Sequence, residues 1–178
     1  METSKWTIDP SHSEIQFKVK HLMVTNVTGS FNEFSADVVS ESDDFKNASI
    51  KFAANTASVD TGSEQRDTHL KSADFFDAEK YPELKFESTT FNGSELTGNL
   101  TIKGVTKPVK LNVEFNGIAR DPWGNSKAGF SISGKINRTE WNLNWNAALE
   151  AGGVLVSEEV KLVAEVQLLK VVAEKAAA

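Results

Sequence analysis

The alternation of apolar and polar residues with a period of two restricts this chain more than any other feature. Ile15, Phe17 and Val19 alternate with Glu14, Gln16, Lys18 and Lys20. The same rhythm returns at Phe34, Ala36 and Val38, at Ala48, Ile50, Phe52 and Ala54, and at Leu84 and Phe86. It continues through Leu96, Gly98, Leu100 and Ile102, then Val109, Leu111, Val113 and Phe115, then Ala128, Phe130, Ile132, Gly134 and Ile136. It ends with Val160, Leu162, Ala164, Val166 and Leu168. Successive side chains of a strand point to opposite faces, so each run predicts a half-buried strand with one face on a core or cavity.

Turn chemistry separates the runs. Asn92-Gly93 is a hairpin signal, Gly104 to Pro108 reads as a second turn, and Asp121-Pro122-Trp123-Gly124-Asn125 as a third. The result is about eight strands on short connections. With no helix-period pattern alternating between them, a parallel α/β sheet is disfavoured, leaving an antiparallel barrel or a sandwich. Gly98, Gly129 and Gly134 inside strand patterns suit a closing barrel or the close approach of a ligand. Residues 5–170 read as one domain and residues 171–178 as a C-terminal tail. A chain of 178 residues buries roughly 70% of its unfolded surface without staples.

One segment, Ser58 to Pro82, breaks the β rhythm. Thr61 and Glu64 form a capping-box pattern, predicting a short helix that carries Arg66, His69 and Leu70 on one face. An aromatic turn with Phe75 and Phe76 follows. A surface both cationic and apolar suits a ligand with an anionic or polar head and a greasy body. The competing reading pairs Arg66 with Asp67 or Asp60 and leaves His69 as a packing residue.

Other candidates follow from parity. His21 continues the inward set of Ile15, Phe17 and Val19, where it can bond a ligand oxygen or a backbone carbonyl. Arg138 shares the parity of Phe130, Ile132 and Ile136, so it points inward and needs an anionic partner, a carboxylate before a ligand head. Trp141, Leu143 and Trp145 alternate with Asn residues and read as one face of a strand, covering the core or lining a cavity mouth. His12 follows Pro10-Ser11 in a turn. The interior of an eight-stranded barrel either fills with side chains or holds one small ligand, and the mixture of large and small inward residues fits both.

Several chemistries are disfavoured. The chain has no cysteine, so thiol catalysis, disulfides and Cys-ligated metals are out. Its histidines, His12, His21 and His69, lack metal-ligand spacing, and no GxSxG elbow is present. No catalytic residue, metal or cofactor is expected. The net charge of −6, with Lys and Arg dispersed among acids, argues against nucleic acid. No run reaches the length of a membrane span. Without an apolar signal-type segment at the start, the expectation is a cytoplasmic protein as given, or a periplasmic one if a leader was removed.

Particular stretches, taken in order, resemble a known family. They are Trp6-Thr7-Ile8-Asp9-Pro10-Ser11-His12-Ser13, Lys20-His21-Leu22-Met23-Val24, Gly29-Ser30-Phe31, and the segment from Ser58 to Pro82. Gly98-Asn99-Leu100-Thr101-Ile102-Lys103-Gly104-Val105-Thr106-Lys107-Pro108-Val109 and Asn137-Arg138-Thr139 complete the set. Together they resemble the YceI-like family of bacterial polyisoprenoid-binding proteins, from about Trp6 to Leu169. Many members of that family carry a leader and are periplasmic. The resemblance implies an all-β fold, an extended antiparallel eight-stranded lipocalin-like barrel with a short helical insertion. It implies non-enzymatic binding, sequestration or transport of an isoprenoid amphiphile, such as a polyprenyl phosphate or a prenylated quinone. The tail would lie against Phe17, Val19, Phe52, Phe86, Leu100 and Phe130. The head would meet a mouth formed by His21, Arg66, His69, Phe75, Phe76 and Arg138. Two alternatives stay open. One is an enzyme or stress-response factor acting on a small amphiphile through His21, Arg66 and His69. The other is a filled-barrel interaction domain forming a homodimer through exposed aromatics such as Trp123 and Trp145.

Overall fold

The computed structural model describes residues 3–146 and 155–171. Its strands are β1 (Ser4–Ile8), β2 (Glu14–His21), β3 (Thr25–Phe31), β4 (Phe34–Ser40), β5 (Ser49–Asn55) and β6 (Val59–Asp60). After the helix α1 (Glu64–Lys71) come β7 (Glu83–Phe91), β8 (Glu95–Ile102), β9 (Val105–Arg120), β10 (Ser126–Asn137) and β11 (Val156–Lys170). They form one antiparallel sheet in the order β1-β4-β5-β7-β8-β9-β10-β11-β2-β3-β6. Pairing of β1 with β11 closes eight of them into a ring, the expected eight-stranded barrel. The ring takes Ser4–Ile8 as its first strand. The run Ile15, Phe17 and Val19 lies instead in an extension formed by β2, β3 and β6.

Local chemistry explains that split. β1 and β2 follow the same edge of β11, at Leu168 to Lys170 and at Val156 to Glu165. Between them Pro10–His12 forms a 3-10 turn whose cap, Asp9, accepts from Ser11 N. Pro10 has no N–H to give a ladder, so the strand breaks there. The break frees β1 to pair with β4 while β2 pairs with β3. Gln167 bridges the gap: its carbonyl accepts from Asp9 N at 2.8 Å, and its N–H donates to Ser13 Oγ at 3.0 Å.

The hairpin at Asn92-Gly93 is as expected, with Gly93 at φ 103° and Asn92 Oδ1 accepting from Ser94 N and Glu95 N. The turn near Gly104 is tighter than expected. Lys103 and Gly104 alone make it, at φ 52° and 76°, and Pro108 lies within β9 opposite Asn99. Pro108 is tolerated because the other neighbour, β10, pairs with β9 only from Asn112 onward.

Trp141, Leu143 and Trp145 do not share a strand face. Asn137 caps a 3-10 turn at Arg138–Trp141, and Asn142 adopts φ 60°, which breaks any strand register. Trp141 is buried and donates Nε1–H to the Leu100 carbonyl at 2.9 Å.

Candidate functional site

The barrel encloses an apolar cavity of about 630 Å³. One end is closed by aromatic rings. Phe45, only 1% exposed, sits in the loop between β4 and β5 and packs on Trp6, Phe130 and Phe115 at centroid distances of 5.1, 5.0 and 5.5 Å. The other end carries the polar groups. From Phe130 at the plug to Ile136 near those groups, β10 covers about 20 Å at about 3.3 Å per residue.

Val156, at the start of β11, organises the polar end. It pairs with His21, and its carbonyl accepts from both Arg138 and Asn146. Trp145, next to Asn146, meets the His69 ring edge to face at 4.7 Å, which brings α1 to the same end.

α1 starts later than the capping-box reading placed it. Gly62 has φ 83°, outside the helical region, and the cap is Ser63, whose hydroxyl accepts from Arg66 N. Thr61 is held by a different device: its N–H and hydroxyl both donate to Asp67 Oδ1, at 2.8 and 2.6 Å. Arg66 then donates Nε–H to Thr61 Oγ1 and Nη2–H to the Thr61 carbonyl. Arg66 therefore does not pair with Asp67 or Asp60, because Thr61 stands between guanidinium and carboxylate. Among the described residues its Nη1 has no partner.

His69 Nε2 lies 2.9 Å from Asp74 Oδ2, and its ring is flanked edge to face by Phe75 and Trp145. The imidazole is thus oriented by a carboxylate and two aromatic walls. The His21 ring lines the cavity and has no hydrogen-bond partner among the described residues.

Arg138 points inward as its parity predicts, but a carboxylate is not its partner. The side chain is 4% exposed, and its guanidinium donates to the carbonyls of Ser157 at 2.9 Å, Val156 at 3.2 Å, and Leu143. Three carbonyls converge because the 3-10 turn and the bulged start of β11 both end beside it. Burial pulls the pKa of Arg138 down, and the charge of Glu158 partly opposes this. The mouth therefore holds two guanidinium groups, Arg66 and Arg138, that contact no carboxylate among the described residues, and an anionic or strongly hydrogen-bonding ligand atom is the complementary chemistry.

Every residue expected at the tail or the head lines this cavity. Those expected for the tail differ in kind. Phe17, Val19 and Phe52 keep part of their surface open to the lumen, whereas Phe86, Leu100 and Phe130 are buried in the wall. Two features escaped the sequence reading. Phe45 gave no signal because it sits in a polar loop, at φ 61°. The wall also depends on Gly29, which lies opposite Phe17. A Cβ there would fall 2.2 Å from Phe17 Cζ, so only glycine lets the ring lie flat on the sheet. Gly98 does the same for Phe86, at 2.4 Å. At Gly98 and Gly134 the close approach is therefore by the chain's own side chains, Phe86 and Leu111.

No set of three His, Asp or Glu residues converges on a metal-sized site among the described residues. No helix among them is long and apolar enough to cross a membrane.

A family model for the YceI-like domain matches residues 6–168. A UPF0312 protein of Staphylococcus aureus is 38% identical over 165 residues, covering 92% of this chain and 96% of that relative. Solved structures with the same fold include BcnA of Burkholderia cenocepacia, at 24% identity and TM-score 0.74, covering 90% of this chain and 98% of that one. The YCEI protein of Campylobacter jejuni aligns at 32% identity and TM-score 0.67, covering 83% and 87%. A polyisoprenoid binding domain from Saccharophagus degradans, implicated in plant cell wall breakdown, aligns at 12% identity and TM-score 0.61, covering 92% and 97%.

Proposed function

The chain belongs to the YceI-like family, and from that premise we propose that it binds an isoprenoid amphiphile, sequestering or carrying it without chemical turnover. One observation carries the reading: an apolar cavity of about 630 Å³ closed by aromatic rings at one end, with its cationic and imidazole groups at the other. That is the shape and polarity of a lipid with a long tail and one polar head. A solved neighbour described as a polyisoprenoid binding domain adds support through its fold.

In this reading the tail follows the wall formed by β2 and β11, where Phe17, Val19, Leu162 and Val166 keep surface open to the lumen. Each five-carbon unit buried there offers roughly 4 kcal/mol of gross transfer energy, at about 0.8 kcal/mol per carbon. Ordering of the tail and incomplete contact offset a large share. The head, a phosphate or a quinone oxygen, meets Arg66, His69 and His21, with Arg138 supplying positive potential from behind. The His69–Asp74 pair fixes the ring beside the head.

Native mass spectrometry of gently purified protein, followed by organic extraction, tests the reading. A stoichiometric prenyl lipid is the expected result. A protein that comes off empty and also takes up neither added polyprenyl phosphate nor prenylated quinone refutes it. Arg66→Gln with His69→Ala should change the preference between those heads and leave tail capacity intact.

A further inference from the structure

The turn joining β2 to β3 is built against its own geometry. Val24 N donates to the His21 carbonyl at 3.2 Å, and both central residues have positive φ, Leu22 at 54° and Met23 at 60°. Asn-Gly fits such a turn without strain. This chain instead places two large apolar side chains there and a third at Val24. All three face water, exposed by 41%, 54% and 79%. Among the described residues, none of them belongs to the buried hydrophobic cluster.

The same hairpin also carries free positive charge. Lys18 and Lys20 alternate with the inward residues Val19 and His21, and Lys18 stands directly opposite Lys161 of β11. Like charges so placed repel, so folding alone gives no reason for the pairing. Among the described residues, none of these three lysines lies in an ion pair, whereas Lys135 on the next strand pairs with Glu159 at 3.6 Å.

We infer that this tip is a membrane-contacting surface. Leu22, Met23 and Val24 enter the headgroup region of a bilayer while Lys18, Lys20 and Lys161 lie against anionic headgroups. Three short apolar side chains and a few cations give weak, reversible attachment that falls with salt. His21, the first residue of the turn, lines the cavity. Contact at the tip therefore turns the polar end of the barrel toward the lipid, a consequence that rests on the lipid-binding reading, although the contact itself does not.

Flotation with phosphatidylcholine vesicles, with and without about 30% phosphatidylglycerol, tests this. The wild type should float with the anionic vesicles at low salt. Leu22→Asn with Met23→Gly and Val24→Thr supplies the turn its preferred residues. It should melt no lower than wild type, yet partition at least tenfold less. Lys18→Gln with Lys20→Gln and Lys161→Gln should abolish the preference for phosphatidylglycerol. Uptake of a short, water-dispersed prenyl ligand, measured on each protein without vesicles, reports on the cavity alone, so failure of the lipid-binding reading and failure of docking are separate results. The inference is overturned if the wild type stays with the aqueous fraction, or if the tip variant floats as well as wild type. It is also overturned if the tip substitutions abolish a dimer seen by light scattering while vesicle binding is absent, which would assign the patch to a second copy of the chain.

Discussion

Gly29→Ala is the most direct test of how the lumen is kept open. The added Cβ would lie 2.2 to 2.8 Å from three ring atoms of Phe17 and from nothing else so close. Gly29 lies in β3 with an ordinary strand backbone, so alanine is tolerated by the main chain. The phenyl ring must give way, and the free direction is the lumen. A cavity near 150 Å³ holds a benzene ring, so the displaced ring removes on the order of 100 Å³. Against about 630 Å³ that is roughly one sixth of the space, close to one prenyl unit. Taking half of the roughly 4 kcal/mol gross value of that unit as realised, affinity should fall by about 30-fold for a tail that fills the barrel. A tail one unit shorter should lose little. Titration with prenyl phosphates of graded length, followed by intrinsic tryptophan fluorescence, reads both effects. Thermal stability should change little, because the gain from replacing a strand glycine, about 0.5–1 kcal/mol, opposes the cost of moving the ring. Adding Phe17→Leu should restore the wild-type length preference. A Gly29→Ala protein with unchanged affinity and unchanged length preference would show that the ring is not what guards the lumen.

Three further outcomes follow from the same structure. Leu162→Trp should block tail uptake far more than Leu100→Trp, since Leu162 has lumen-facing surface to extend from and Leu100 is buried in the wall. Leu100→Trp should instead lower the melting temperature through overpacking, by about 1–3 kcal/mol, and equal effects on uptake would contradict the assigned tail path. Arg138→Met takes the guanidinium donor from the carbonyls of Leu143 and Ser157 and leaves Val156 with Asn146 alone, which should cost about 3 kcal/mol and roughly 10 °C in melting temperature. Arg138→Lys should recover only part, because one ammonium cannot span the fork, and full recovery would deny the clamp. Asp9 is held well below the usual carboxylate range, first by the Ser11 hydroxyl, then by His12 at 2.9 Å and by Lys127 at 3.3 Å. A depressed carboxylate gives stability that is complete above its unfolded value and lost as pH falls through the folded one. Melting temperature should therefore hold from pH 7 to about 5 and drop below about pH 4, and Asp9→Asn should blunt that drop, as a pH series of melting curves would reveal.

The strands were legible in the sequence because a period of two is a local signal, and the ring strands from Phe34 to Leu168 lie where alternation places them. What failed depended on partners distant in sequence or on backbone dihedrals. Trp141, Leu143 and Trp145 alternate as a strand would, yet Asn137 accepts from the Thr139 N–H and turns the chain. Thr61 and Glu64 have capping-box spacing, but the positive φ of Gly62 moves the helix start to Ser63. Arg138 was legible as an inward cation from parity alone. Its partners were not, because backbone carbonyls leave no mark on a sequence pattern. Phe45 stands outside every period, and it becomes a plug only through Trp6, Phe115 and Phe130, which are far from it along the chain.

A closed eight-stranded ring is near the size at which inward side chains fill the interior, so an open lumen needs an explanation beyond the fold. The explanation lies in where bulk is placed. Along β8 the inward positions Leu96, Leu100 and Ile102 are buried, and the wall there is solid. Along β2 and β11 the inward residues Ile15, Phe17, Val19, Leu162, Ala164 and Val166 are only half-buried, although they point toward the interior. Their uncovered surface is lumen surface. Two of the large rings on the cavity wall, Phe17 and Phe86, lie against glycines instead of crossing the barrel. Apolar surface left unburied inside a barrel forgoes stabilisation of about 25 cal/mol per Å², a cost that filling the lumen with larger side chains would remove. The chain forgoes it around a single lumen: Ile50 and Phe52 of β5, Leu111 of β9 and Ile132 and Ile136 of β10 are half-buried as well and line the same cavity. Loose packing scattered through the core would not converge on one cavity in this way.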